Sequence, residues 1–359
     1  MIQVRPKIRP FLAVMLSFFT LHGCADPQRE MTLDPNAQPE RRRLAWPADP
    51  EVPRYLYAGE LTGENNFPEM RKTREGAAKV LAWLVGLGLD EEQSIVLQRP
   101  QSGAVDARGR IYVTDVSRQA VFVFDPLELR LDVWGFAAEG ERFVAPIGIV
   151  PGPGDEMLVA DAELGAVFRL DPEGNPVGRF GGDVLKRPTG LARDRERGLV
   201  YVADTRGNDV KVFDDSGVLT DFIGRRGDSP GELNAPTYIA FAHNRLYVTD
   251  SLNSRVQVFD REGNLLTLFG ERGLYIGNLT RPKGIAVDDE ENIYVVESYY
   301  DHLLVYDRDG RFLLSIGGTG NAPGQFYLPA GVWTDGGSRI YVSDMFNGRV
   351  SIFQFLGGS

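Results

Sequence analysis

The chain has 359 residues, 43% of them hydrophobic and 41 of them glycine, with a single cysteine and a formal net charge of −11. This composition fits a turn-rich globular β protein long enough to bury a core, and one cysteine excludes any disulfide within the chain. The acidic balance argues against a nucleic-acid partner, whose phosphates need a cationic face.

At the start of the chain, Arg5, Lys7 and Arg9 precede the apolar run Phe11–Thr20, and Leu21-His22-Gly23-Cys24 follows it. A basic stretch, a short apolar run and a small residue predict a secretory signal over residues 1–23. A membrane span would need about 20 apolar residues. Loss of those three positive charges takes the net charge from −11 to −14. The four residues ending at Cys24 resemble the bacterial lipobox, with His22 atypical in it. That resemblance implies a diacylglyceryl group on Cys24; ordinary signal cleavage nearby is the alternative. Ala25, where an Asp would signal otherwise in enteric bacteria, favours the outer membrane. The expected location is therefore the cell envelope of a bacterium, with the chain held to the membrane by its lipid.

Residues 24–53 are rich in Pro, Asp and Arg and read as a flexible tether. Arg41-Arg42-Arg43 within it reads as a solvated charge run, with contact to anionic headgroups as the alternative. Next comes Arg54-Tyr55-Leu56-Tyr57-Ala58-Gly59, which reads like a strand looking for a sheet. Residues 66–94 then interrupt the β pattern. Asn66 offers an N-cap with Glu69 three residues on and Pro68 in the first turn. Ala77, Leu81, Leu84 and Val85 share one helical face, so a helix is expected near 67–86, packed on the rest of the fold or presented to a partner.

From residue 99 the chain repeats. Six short runs end in an acid, at Asp115, Asp161, Asp204, Asp250, Glu297 and Asp344, at steps of 43 to 47 residues. Six positions after each acid stands an apolar strand residue, from Val121 to Val350. A Pro-x-Gly precedes most units, as at Pro146–Gly148 and Pro282–Gly284, and the fourth strand closes on Gly135, Gly181, Gly224, Gly270 or Gly317. Asp260 to Gly263 marks a tight hairpin. A period near 45 with four strands per unit signals a propeller.

The pattern of 187–355, exemplified by Arg281-Pro282-Lys283-Gly284-Ile285-Ala286-Val287-Asp288 and Arg255-Val256-Gln257-Val258-Phe259-Asp260, resembles the NHL repeat. The resemblance spans 99–355 and implies a six-bladed propeller. The expectation is thus an all-β, six-bladed β-propeller of four-stranded antiparallel blades over 54–359, monomeric. The last unit lacks an outer strand, so residues 54–59 are expected to pair with Arg349–Phe355 and close the ring.

Six equivalent acids on one face invite two readings, a metal ring or six loop staples. A feature present in every unit favours the second, with a structural Ca²⁺ left open. Departures from the repeat point to recognition instead. Tyr238 stands where the other units have a small residue, and Tyr299, Tyr300, Met345 and Phe346 load the upper loops of the last two units. Lys283, Gln101 and Thr189 are placed near the channel mouth. These residues outline a surface for an envelope or secreted protein or peptide.

The competing class is a metal-dependent lyase or a lactonase-like enzyme working in the channel. His22 leaves with the signal, and the spacing puts His243 and His302 on opposite faces, so a multi-histidine zinc site is excluded. The slots Ser102, Gly148, Gly190, Tyr238, Gly284 and Gly331 carry no carboxylate. No cofactor is called for, and a binding or scaffold module is the leading expectation.

Overall fold

A computed structural model describes residues 31–33, 44–67 and 94–357. The signal segment, Cys24 and the stretch expected to be helical lie outside the described residues. What is described is a six-bladed, all-β propeller of antiparallel four-stranded sheets.

Each blade runs from an inner strand at the axis to an outer strand at the rim. Blade 4, for example, consists of Pro236–Ala242, Arg245–Asp250, Arg255–Phe259 and Leu265–Phe269, paired in that order. The second-strand tyrosines Tyr112, Tyr201, Tyr247, Tyr294 and Tyr341 are fully buried. An isolated sheet would leave one such face wet, so the core is built between sheets. Tyr201 and Val210 of blade 3 pack with Ile239 and Val248 of blade 4, and the same arrangement recurs around the ring. Some of these tyrosines satisfy their hydroxyls on the acid of a hairpin below. Tyr294 donates to Asp288 at 2.7 Å and Tyr112 to Asp106 at 3.0 Å.

The ring closes as expected. Tyr55–Leu61 supplies the fourth strand of blade 6 and pairs antiparallel with Arg349–Phe355, from Tyr55 opposite Phe355 to Leu61 opposite Val350. Arg349 pins the junction, with Nη1 on Glu60 at 2.9 Å and Nε on Asp344 at 2.8 Å.

Two parts of the segment expected to be a free tether are docked instead. Ala45–Trp46 adds a fifth strand outside Tyr55 and Leu56, and the Trp46 ring meets Phe353 edge-on at 5.4 Å. Farther upstream, Thr32 N–H donates to Asn66 O and Glu60 N–H to Leu33 O. The apolar side chains of Met31, Leu33 and Trp46 find cover on blades 6 and 1, which offsets the entropy of ordering a polar segment. Asn66 is also used differently from the expected helix cap. It is fully buried, and its Oδ1 accepts from the amides of Thr62 and Gly63 in the turn before it.

Candidate functional site

The upper face is where loops enter the inner strands and where second strands turn into third strands. All six repeat acids lie there and all are buried. Asp115 accepts from the amides of Gln98 and Arg99 with one oxygen and of Ser117 and Arg118 with the other, at 2.6 to 3.0 Å. Asp161 repeats the pattern with Val144, Ala145, Glu163 and Leu164. Glu297 reaches the amides of Arg281 and Tyr300. In other blades a cation joins: Lys211 on Asp204 at 2.8 Å, Arg255 on Asp250 at 2.8 Å, Arg349 on Asp344. Burial pushes the Asp204 carboxyl up, but Lys211 and the loop amides outweigh it and hold the group low. Each acid therefore staples the loop beside it, the structural of the two readings. Among the described residues no group of three or more His, Cys, Asp or Glu side chains gathers to hold a metal ion.

A side chain at the glycine slots of the inner strands would run into the backbone of the neighbouring blade. A Cβ on Gly148 would lie 2.2 Å from Thr189 O, and one on Gly331 2.3 Å from Gln101 O. Glycine is needed there because adjacent inner backbones approach too closely for a side chain.

Tyr238 corrects an expectation. It is only 8% exposed, and its hydroxyl donates to Gln101 O at 3.1 Å. Blades 4 and 1 stand opposite in a ring of six, so this side chain spans the axis near the upper face. Gln101 is buried as well, and Thr189 is buried with its Oγ1 donating to Thr237 O at 2.7 Å. None of the three is a surface group.

Below Tyr238 lies a cavity of about 1140 Å³, walled by small residues such as Ala104, Ala192, Ala240 and Ala286. Its rim is formed by the hairpins between first and second strands, with Arg108, Asp155, Arg195 and Asp289 intermixed. Nothing in the repeat spacing announced it. His243 sits in one of these hairpins with Nε2 2.8 Å from Asp288 O, whereas His302 contacts Tyr300 O on the other face.

The remaining candidates stay on the upper face. Tyr299 is 55% exposed and Phe346 47%; Tyr300 is half-buried against Tyr299, ring centroids 4.8 Å apart. Phe346 meets the exposed Tyr327 edge-on at 5.7 Å. Cations lie over both clusters, Arg281 over Tyr299 at 5.9 Å and Arg99 over Phe346 at 5.4 Å. The connection from blade 4 to blade 5 adds a tip that sequence reasoning missed. Leu274, Tyr275 and Ile276 are 85%, 82% and 63% exposed. Leu252, in the neighbouring loop of blade 4, is exposed too. Lys283, at the start of the inner strand of blade 5, is partly buried. Burial and, next, the Arg281 charge lower its pKa from 10.5.

Residues 232–307 and 279–359 match the family model DUF5128, described as a 6-bladed beta-propeller. The chain is a six-bladed propeller. No curated protein matches it. Among solved structures it is similar to a gluconolactonase of Xanthomonas campestris, at 18% identity and TM-score 0.54, over 88% of this chain and 99% of that one. It is also similar to virginiamycin B lyase of Staphylococcus aureus, at 12% identity and TM-score 0.53, over 75% and 83%. A protein of unknown function from Bacteroides thetaiotaomicron gives 16% identity and TM-score 0.55, over 74% and 72%. At such identities the likeness is one of fold.

Proposed function

We propose that this chain is an NHL-type propeller of the bacterial envelope, lipid-anchored at Cys24, that binds a protein or peptide on the upper face of blades 4 to 6. The observation that carries the reading is the concentration there of exposed apolar side chains, Leu252, Leu274, Tyr275, Ile276, Tyr299 and Phe346, under two guanidinium groups. Aromatic residues and arginine are the side chains that dominate binding energy at protein interfaces, and large exposed apolar areas mark such surfaces.

Chain length supports a membrane-proximal partner. Met31 packs at the upper end of the closing strand, seven residues after Cys24. Fully extended, seven residues reach about 24 Å at roughly 3.4 Å each. An anchor on Cys24 therefore keeps the rim of the upper face close to the bilayer surface.

The alternative, an enzyme, would work in the lower cavity, whose volume of about 1140 Å³ suits a small-molecule ligand. A tightly held stoichiometric metal in the purified protein would favour it.

Photo-cross-linking in intact cells tests the proposal. A benzophenone amino acid at Tyr275 or Phe346 should yield discrete adducts, and one at Val177 on the rim of blade 2 should not. Equal labelling from all three positions, or none from any, would overturn the upper-face reading.

A further inference from the structure

Blade 5 departs from the rest at the second residue of its inner strand. The residue after the leading proline is Gln101, Ile147, Thr189, Thr237 and Ala330 in the other blades, and Lys283 here. Elsewhere this acidic chain pairs its sheltered cations closely. Lys211 meets Asp204 and Asp209, Arg255 meets Asp250, and Arg349 meets Asp344 and Glu60. The Lys283 ammonium has no hydrogen bond or ion pair with any described residue. Arg281, two residues earlier and exposed, lies over the Tyr299 ring with its charge acting on Lys283, and it likewise has no carboxylate among the described residues. Glu297, which stands opposite Pro282 on the paired strand, is occupied by the amides of Arg281, Tyr299 and Tyr300.

A partly buried cation without a counter-ion is costly, and the cost is removed when an anion arrives. We propose that Lys283 and Arg281 form a receptor for a single carboxylate, carried by a peptide or protein seated on the Tyr299 side of the upper face. This rests on the docking reading above and names the chemistry that the docked partner must bring. A monoanion suits the site better than phosphate. Phosphate sites use convergent backbone amides, and the amides here are already engaged by Glu297. The lowered pKa of Lys283 agrees with an ammonium still waiting for its partner.

The test uses the full chain with its lysines ¹³C-dimethylated, the Lys283 signal assigned by its loss in Lys283→Gln. The probes are acetyl-Tyr-Leu with a free carboxylate, the same dipeptide as its carboxamide, and inorganic phosphate. The free acid should shift the Lys283 signal saturably and raise its pKa, and the carboxamide should do neither. Arg281→Gln should weaken the acid about tenfold, the worth of one charge-assisted hydrogen bond. Equal shifts from acid and carboxamide, tighter binding of phosphate, or no saturable shift would overturn the proposal. So would a Lys283 pKa at or above 10.5 in the unliganded protein, because the ammonium would then already have an acid. Failure here with cross-links from Tyr275 and Phe346 intact removes only the carboxylate receptor; failure of both removes the docking face as well.

Discussion

The hydroxyl of Tyr238 donates to the carbonyl oxygen of Gln101 at 3.1 Å, joining two blades that face each other across the axis. The Tyr238 side chain thereby stands at the upper end of the lower cavity, which it helps to line. Tyr238→Phe should cost about 1 kcal/mol in urea unfolding, the net worth of one buried hydrogen bond. Tyr238→Ala should cost about 3 to 5 kcal/mol, as for loss of a large core ring. If Tyr238→Ala is neutral, the side chain does not join the two blades.

Arg349 is the most exacting residue of the closure, because it serves the repeat acid of blade 6 and the closing strand together. Arg349→Ala leaves Asp344, whose carboxyl burial already pushes upward, without its cation. A loss of about 3 to 5 kcal/mol is expected, as when one partner of a buried ion pair is removed. Glu60→Gln, at the more exposed end of the same junction, should cost clearly less. Comparable losses in equilibrium unfolding would show that the outer contact, not the staple, carries the closure.

The pH dependence of Lys283 has a definite sign. Its folded pKa lies below the ordinary 10.5, so between the two values the unfolded chain binds more protons and stability rises with pH. Lys283→Met removes the uncompensated charge and should be more stable than wild type at pH 7. That advantage should shrink as pH climbs towards 10.5. A constant difference across that window in parallel denaturant titrations would mean that the folded ammonium is not destabilised.

Cys24→Ala should move the protein from the membrane pellet to the soluble fraction after cell disruption. Continued retention would contradict the lipid anchor. It would also remove the argument that holds the upper rim near the bilayer.

The repeat was legible because its constraint is local and recurs. Each staple acid must sit where a second strand ends, so spacing alone exposes Asp115 through Asp344, and the missing outer strand of blade 6 points to Tyr55–Leu61. Three features were not legible, two of them because they depend on reach across the fold. Tyr238 was placed at the surface, yet its ring crosses the axis to Gln101, a partner 137 residues away in sequence that the repeat pattern does not point to. Trp46 looked unattached because Phe353, which receives it, lies almost at the far end of the chain. Leu274–Ile276 lies in a connection between units, where the period imposes nothing, and only its exposure on the upper face gives it meaning.

Pairing Tyr299→Ala with Phe346→Ala in one protein tests the binding surface most directly, read as capture of the partner by cross-linking in intact cells alongside unfolding of the purified protein. Both side chains are about half exposed, so stability should stay within about 1 kcal/mol of wild type. Capture should fall at least tenfold, as expected for loss of interface anchors worth more than about 1.4 kcal/mol together. Unchanged capture by a stably folded double variant, or unfolding of the variant as if the two rings were core, would contradict the account.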